Sequence, residues 1–349
     1  MSDFHSLTIQ DINRETTGAV SITFGVPQAL RNNYNFKAGQ YITLKTHIDG
    51  KEVRRAYSLC STPASGLLKV AVKEVEKGTF SVLANNTLTV GQSIEVHPPE
   101  GRFVFEPSGE KNDYAAFAAG SGITPVMSIL KTVIEEEPLS RFLLVYGNKT
   151  VEDTIFHKEL LELQLQHPDR LFIEFVYSRR QEEGSHFGRI ERSTVNYVVK
   201  NKFKDHDFKK FYLCGPEPMV ESITETLADA GIDSDRILFE LFNTEDDGEV
   251  DAALDGMTQV KVILDDEEFE FTMPQDSIVL DAALDLDIDA PHSCQGGICS
   301  SCVAKLTSGT VKMRKNMILT DDELEDGLIL TCQSHPSSPS SDSPYHHSA

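Results

Sequence analysis

The hydrophobic pattern changes its period along the chain. Over the first hundred residues, LTIQDI at 7–12, AVSITF at 19–24, YITLKT at 41–46, RAYSLCS at 55–61 and LLKVAV at 67–72 alternate like antiparallel strands, each with one face turned inward. Short Gly, Asn and Pro breaks separate them, which predicts a small antiparallel β-barrel or sandwich over residues 1–108. From about residue 110 apolar runs (YAAFAA, RFLLVYG, LFIEFVY, KKFYLCG) alternate with helical stretches at 153–166 and 217–230. That alternation marks an α/β domain with a parallel sheet, here 109–242. Residues 243–257 (NTEDDGEVDAALDGM) are acidic, hold no sustained apolar period and read as a linker. A compact α+β unit follows over 258–336, with strands near 258–264 and 268–272 and a helix near 277–284. The Ser- and Pro-rich tail, 337–349, is expected to be disordered. The expected fold class is therefore multidomain, and no internal repeat is evident.

Composition narrows the possibilities. The chain has 349 residues, too many for one ordinary core, and its 40% hydrophobic and 25% charged content excludes global disorder. Its 55 acids against 32 bases leave a net charge of −23, which argues against nucleic acid as a partner. The excess is uneven: residues 1–244 carry 33 acids and 27 bases, residues 245–349 carry 22 and 5. The longest uncharged run, Tyr114 to Leu130, is broken by Gly120, Ser121, Gly122, Thr124 and Pro125, so no membrane span is expected. The opening MSDFHSLTIQD has no basic segment of the secretory kind, which leaves the cytoplasm as the expected compartment.

The strongest chemical signal is Cys294-x4-Cys299-x2-Cys302, followed by Cys332 after a 29-residue gap. This is the plant-type ferredoxin spacing for a 2Fe–2S cluster, in which four thiolates hold two irons. Gln295-Gly296-Gly297 and Ser300-Ser301 are small or permissive enough to turn backbone N–H groups toward sulfur. A structural zinc site also uses four cysteines, but it usually pairs C-x2-C with C-x2-C, and one such pair occurs here. Of the other two, Cys60 reads as a small buried hydrophobe. Cys214 ends a parallel strand beside Gly215-Pro216, where α/β ligand sites open.

Gly120-Ser121-Gly122-Ile123-Thr124-Pro125 follows YAAFAA and precedes a stretch read as an amphipathic helix. Glycines there let backbone approach a pyrophosphate, and a helix N-terminus adds orphan N–H groups. A plain strand-to-helix turn has the same look, and no glycine closes a GxGxxG set. Arg55-Ala56-Tyr57-Ser58 puts a cation, a flat ring and a hydroxyl on one strand, with Arg55 and Tyr57 on one face and Ser58 on the other. Lys77-Gly78-Thr79-Phe80-Ser81 reads as a loop entering a helix at 80–86, a second place for an anion. Leu213-Cys214-Gly215-Pro216-Glu217-Pro218-Met219 ends the fourth parallel strand, and Ser178-Arg179-Arg180 follows the third.

Together these segments resemble the ferredoxin–NADP reductase superfamily over residues 4–242, joined to a plant-type ferredoxin over roughly 258–336. The resemblance implies an antiparallel β-barrel FAD domain, an α/β parallel-sheet NAD(P) domain and an α+β, β-grasp-like ferredoxin domain. It implies that Arg55 pairs with the flavin pyrophosphate, Tyr57 stacks on the isoalloxazine and Ser58 hydrogen-bonds near its reactive nitrogen. Gly78, Phe80 and Ser81 would hold the FAD phosphates, with Val72 counted among the cofactor contacts. Gly120, Gly122 and Thr124 would line the nicotinamide site, with Cys214, Gly215, Pro216 and Met219 opposite. Pro99, Gly101 and Phe103 match the superfamily's structural PxGxF turn. Phe239-Glu240-Leu241-Phe242 resembles the acid-aromatic end that closes over the flavin, through Glu240 and Phe242. Tyr57, Ser58, Thr124, Cys214, Glu240 and Phe242 are the candidates for groups touching the reacting rings. Ser178 with Arg179 or Arg180 suits the 2′-phosphate of NADPH, whereas an acid would favour NADH, which stays open.

Three cofactor sites on one chain imply a route from nicotinamide through FAD and the cluster to an external acceptor. Neither a di-iron carboxylate motif nor a haem signature is present, so terminal oxidation is expected on another protein. Residues 245–289 carry 16 acids and one base, Lys261, a field suited to steering a basic acceptor surface or simply to solubility. The C-terminal place of the ferredoxin module, the run GTVKMRKNMILTDDELEDGLILTCQSHP and the opening FHSLTIQDI resemble the reductase subunits of phenylacetyl-coenzyme A epoxidase complexes. Met317-Ile318-Leu319 and Arg314-Lys315 depart from that pattern near Asn316. This resemblance implies a di-iron epoxidase partner in phenylacetate catabolism. Reductases of hybrid-cluster proteins and of fatty-acyl desaturases share the layout, and a flavin/iron–sulfur redox sensor is the alternative of a different class.

Overall fold

The alternating segments close into a barrel. In the computed structural model, which describes residues 4–242, 256–265, 267–338 and 340–345, six antiparallel strands share one sheet: β1 (His5–Thr16), β2 (Ala19–Gly25), β3 (Tyr41–Ile48), β4 (Lys51–Ser58), β5 (Leu68–Lys73) and, after helix α1 (Phe80–Asn86), β6 (Ser93–Val96). Their order is β4-β3-β6-β1-β2-β5. A bridge between Leu59 and Val70 brings the two edges together. Leu7, Ile22, Leu44 and Val70 point inward, and α1 sends Phe80 and Ala84 into the same core.

The apolar runs form the parallel sheet. In chain order it contains β7 (Asp113–Ala119), α2 (Ile123–Glu136), β8 (Arg141–Asn148), α3 (His157–Gln166), β9 (Leu171–Tyr177), β10 (His186–Phe187), α4 (Arg192–Asn196), β11 (Phe208–Gly215), α5 (Glu217–Ala228) and β12 (Ile237–Leu241). The sheet order is β10-β9-β8-β7-β11-β12, so the winding reverses at β7. One reading is extended and one corrected here. The helix after the glycine turn is amphipathic as expected, but its polar edge is confined to Lys131, Glu135 and Glu136, because the sheet covers one side of α2 and barrel residues much of the other. Ser128 on it donates to the Ser61 carbonyl at 2.6 Å. The helix expected from 153 begins at His157, since Phe156 before it takes φ +61°, outside helical space.

Barrel and parallel sheet make one compact unit, Phe4–Asn243, and the residues from Thr244 make a second. The second contains β13 (Met257–Leu264), β14 (Glu267–Pro274), α6 (Val279–Leu284), β15 (Val303–Lys305), β16 (Val311–Met313), α7 (Asp321–Glu325), β17 (Leu328–Leu330), β18 (Ser334–Pro336) and β19 (Ser340–Tyr345). β13 and β14 form a hairpin, and Val260, Val262, Leu280, Ala304 and Leu330 build its core. The expected disordered tail is corrected in part, for β19 pairs in parallel with β13. The reason is that β14 occupies one edge of β13 and leaves the other to any backbone, whatever its side chains. Of the expected linker, 243–255 lie outside the described residues and Met257 already opens β13. Among the described residues no helix is long and apolar enough to cross a membrane.

Candidate functional site

The reversal of winding at β7 sets two turns side by side, the place where open α/β sheets receive ligands. β7 runs into Gly120-Ser121-Gly122, and Ala118 pairs with Cys214 at the end of β11. A Cβ on Gly122 would stand 2.2 Å from the Cys214 carbonyl oxygen and 3.0 Å from Gly215 N, a space that only glycine leaves open. Gly120 takes φ +54° and its carbonyl accepts from Tyr146 OH at 2.9 Å. Thr124 is buried at the start of α2 and donates to the Ser121 carbonyl at 3.1 Å. Met219, in the first turn of α5, lies against Gly215, and Pro216 starts that turn.

Ser58, Cys214 and Glu240 come from three different strands and meet here. β12 places Glu240 in register with Cys214. Ser58, closing β4, donates its hydroxyl to Glu240 Oε2 at 2.9 Å. Burial lifts the Glu240 carboxyl to about 8, with the Ser58 hydrogen bond opposing the rise. Burial, and then the Glu240 charge, push the Cys214 thiol well above its ordinary value. Near neutral pH the junction therefore holds a thiol, a hydroxyl and a proton-bearing carboxyl, polar but without net charge. Phe242 packs half-buried against the large core beside it.

On the barrel side, Tyr57 lies 5.4 Å from Phe80, ring centre to ring centre, tilted by 39°. Arg55 is exposed and donates to the Arg54 carbonyl at 2.7 Å. A Cβ on Gly78 would meet Ser81 Oγ at 2.3 Å and the Val75 carbonyl at 3.0 Å, so the loop before α1 is tightly folded. Ser81 Oγ accepts from Val75 N at 3.2 Å. The Val72 side chain is fully buried in the barrel core and its carbonyl accepts from Asn85 at 3.1 Å.

At the far end of the parallel sheet, Ser178 sits against the Asn148 carbonyl and Arg179 N donates to the Lys149 carbonyl at 3.0 Å. Arg180 pairs with Glu152 at 3.3 Å and Glu182 at 2.9 Å, which leaves Arg179 as the guanidinium of the two that faces solvent without an ion pair among the described residues. Lys73 was not visible as a site residue. Its Nζ lies 3.4 Å from where a Cβ on Gly120 would be. Burial, and then the Lys149 charge, lower its pKa, with Asp153 opposing. A partly buried ammonium thus stands beside the glycine turn. The sequence signal for it was only that Lys73 ends the inward-outward alternation of β5.

In the second unit the four cysteines gather as the spacing requires. Cys294 contacts Cys299 and Cys332, and Cys332 contacts Cys302. The four thiols, standing here for the thiolates of a loaded site, keep the Cys-x4-Cys-x2-Cys and distant Cys arrangement of a plant-type 2Fe–2S ligand set. Gly296 N already donates to Cys294 Sγ at 3.3 Å, and Ser301 Oγ lies 3.6 Å from Cys299 Sγ. Gly297 needs its φ of +72°, with Gln333 and the Lys315 carbonyl each 3.0 Å from any Cβ there. The donor set and the cradle fit a 2Fe–2S cluster. Cys60, in the first unit, is buried and donates to the Lys69 carbonyl at 3.3 Å.

Comparison with known proteins agrees with this division. Residues 7–105 match the oxidoreductase FAD-binding domain family, 117–225 the oxidoreductase NAD-binding domain family, and 262–337 the 2Fe-2S iron-sulfur cluster binding domain family. The chain is 37% identical over 342 residues, 96% of each sequence, to a subunit of the 1,2-phenylacetyl-CoA epoxidase of Escherichia coli (strain K12). It is 33% identical to the ferredoxin reductase component of 3-ketosteroid-9-alpha-monooxygenase from Rhodococcus rhodochrous, over 95% of this chain and 93% of that one. Its fold matches phthalate dioxygenase reductase with a TM-score of 0.63 at 24% identity, covering 98% of both chains.

Proposed function

The chain belongs to the family of flavin- and iron–sulfur-containing reductase components of multicomponent oxygenases, and on that premise we propose that it delivers electrons from NADPH to a di-iron phenylacetyl-CoA epoxidase. The observation that carries this reading is the end-to-end likeness to the epoxidase subunit of Escherichia coli, at 37% identity. When bound, FAD and the 2Fe–2S cluster supply the conversion of a hydride's electron pair into single electrons.

The residues hold and orient these groups. Tyr57, braced by Phe80, offers a flat apolar face to an isoalloxazine, and Arg55 with the loop at Gly78–Ser81 takes the pyrophosphate. Gly122 and Gly215 let the turn after β7, the end of β11 and Met219 pack closely where a nicotinamide ring has to approach. Ser58, Cys214 and Glu240 line the same spot, and Glu240 keeps a proton beside Ser58 Oγ near neutrality. Thr124 and Phe242 close its edges. Lys73 and Lys149 face the dinucleotide pyrophosphate, while Ser178 and Arg179 take the 2′-phosphate, which is the basis for choosing NADPH over NADH. Cys294, Cys299, Cys302 and Cys332 hold the cluster.

The test is reconstitution with the remaining epoxidase components and phenylacetyl-CoA. Epoxidation should depend on this chain, and kcat/KM for NADPH should exceed that for NADH by about tenfold, the worth of one charge-assisted hydrogen bond. The steroid-monooxygenase relative, at 33% identity, favours a second reading in which another oxygenase is the acceptor. Turnover with such an oxygenase and none with the epoxidase would select it.

A further inference from the structure

One buried carboxamide fastens the cysteine loop. Gln333 directly follows Cys332 and is 4% exposed. Its Nε2 donates to the Gln295 carbonyl at 3.0 Å and the Cys332 carbonyl at 2.8 Å, and lies 3.8 Å from Cys332 Sγ. The stem is held as firmly as the head, with Cγ 3.0 Å from where a Cβ on Gly297 would stand. The backbone on either side is fixed too: Gln333 N donates to the Leu330 carbonyl and its carbonyl accepts from Arg314 N, both at 2.9 Å. Gln295 itself takes φ +53°, so the direction of the carbonyl that receives the bond is set by a left-handed backbone that a side chain rarely adopts unaided. The two ends that this amide joins carry the first and the last of the four cysteines.

We propose that Gln333 is a positioning residue for the iron–sulfur centre, clamping the Cys294 loop to the Cys332 turn and raising the reduction potential through the N–H that bonds the Cys332 carbonyl and is shared with the Cys332 sulfur. The proposal rests on the reading of the four cysteines as a 2Fe–2S site. An N–H aimed at a ligating sulfur stabilises the more negative, reduced state more than the oxidised one, so its removal lowers the potential. Gln333 forms no covalent bond and moves no proton; its effect is electrostatic and geometric.

The experiment is a redox titration of the full chain, followed by electron paramagnetic resonance, on wild type and Gln333→Met. Methionine keeps the length of the side chain and lacks the N–H. With iron and labile sulfide at wild-type content, and with the flavin couple read in the same titration as internal reference, the one-electron equilibrium should shift at least tenfold, about 59 mV downward. An unchanged potential in loaded Gln333→Met overturns the proposal. If that variant holds too little cluster to titrate, Gln333→Asn, whose amide is withdrawn by one methylene, is read by the same criterion. Loss of iron and sulfide from both, with flavin absorbance intact, supports the clamp. Wild-type protein without iron, sulfide or resonance sinks the cluster reading itself, a result unlike an unchanged potential.

Discussion

Replacing Glu240 by Gln isolates the one charge that the junction of β4, β11 and β12 suppresses. In the folded protein burial lifts this carboxyl from its ordinary 4.5 to about 8, against the pull of the Ser58 hydrogen bond. Unfolding returns it to its ordinary value, so the folded state binds the proton more tightly. Linkage then makes the group's contribution complete below pH 4.5 and progressively lost as pH rises toward 8, after which it levels. About 1.36 kcal/mol per unit sets a ceiling near 5 kcal/mol, and solvent on the open side of the carboxyl reduces the expected loss to about 2–4 kcal/mol. Glutamine keeps the shape and an oxygen for Ser58 but has no proton to lose. The assay is urea unfolding of flavin-free protein between pH 5 and 9, followed by tyrosine fluorescence. The chain has no Trp, and eight of its nine tyrosines precede residue 243, so the signal reports the right unit. Stability of Glu240→Gln relative to wild type should rise by about 1 kcal/mol per pH unit up to pH 8 and then stay level. Parallel pH profiles for the two proteins would refute the claim that this carboxyl carries a proton near neutrality.

Four further outcomes are expected. Cys299→Ser should abolish NADPH-dependent cytochrome c reduction while sparing hydride transfer to flavin, and wild-type cytochrome reduction would contradict the route through the cluster. Arg179→Ala should raise KM for NADPH about tenfold and leave KM for NADH unchanged; equal effects on both would remove Arg179 from 2′-phosphate recognition. Lys73→Ala should raise KM for both nucleotides, again about tenfold, by deleting a charge that faces the shared pyrophosphate. A KM unchanged for both would return Lys73 to the surface. Gly122→Ala should cost at least about 3 kcal/mol in urea unfolding, because its methyl would overlap the Cys214 carbonyl, and a midpoint equal to wild type would show that β7 and β11 can part cheaply.

What the sequence reveals follows the range of the forces involved. Strand alternation and apolar runs are local, so barrel, parallel sheet and hairpin were readable from LTIQDI, RFLLVYG and the segment at 258–264. The cysteine spacing was readable because a loop of nine residues, Cys294 to Cys302, cannot carry three thiols for many purposes. Lys73 was not, since a lysine ending a strand looks like solvent-facing charge until β5 is seen to end beside Gly120. Nor was the choice between Arg179 and Arg180, which depends on where Glu152 and Glu182 lie. The burial of α2 and the pairing of β19 are likewise tertiary: neighbours supplied by distant segments override what composition suggests. Val72, named by resemblance, has a side chain that the barrel core absorbs, which leaves only its backbone to face outward.

The arrangement separates two electrostatic tasks that one pocket has to perform. Binding a polyanionic dinucleotide calls for cations, and Lys73, Lys149 and Arg179 stand around the carboxyl edge of the sheet, where phosphates lie in this class of fold. In the proposed function the hydride passes at the junction of Ser58, Cys214 and Glu240, where burial keeps a proton on the carboxyl and leaves no fixed charge near neutrality. Sequence order alone cannot produce this separation. It arises because barrel strand β4 ends beside β12, which pairs with β11, so that Ser58, Glu240 and Cys214 meet next to the Gly122 turn, while Lys73 comes from the end of β5 and Arg179 from the loop after β9. A lysine or arginine at the junction would place a fixed charge where burial now leaves a hydroxyl, a thiol and a protonated carboxyl.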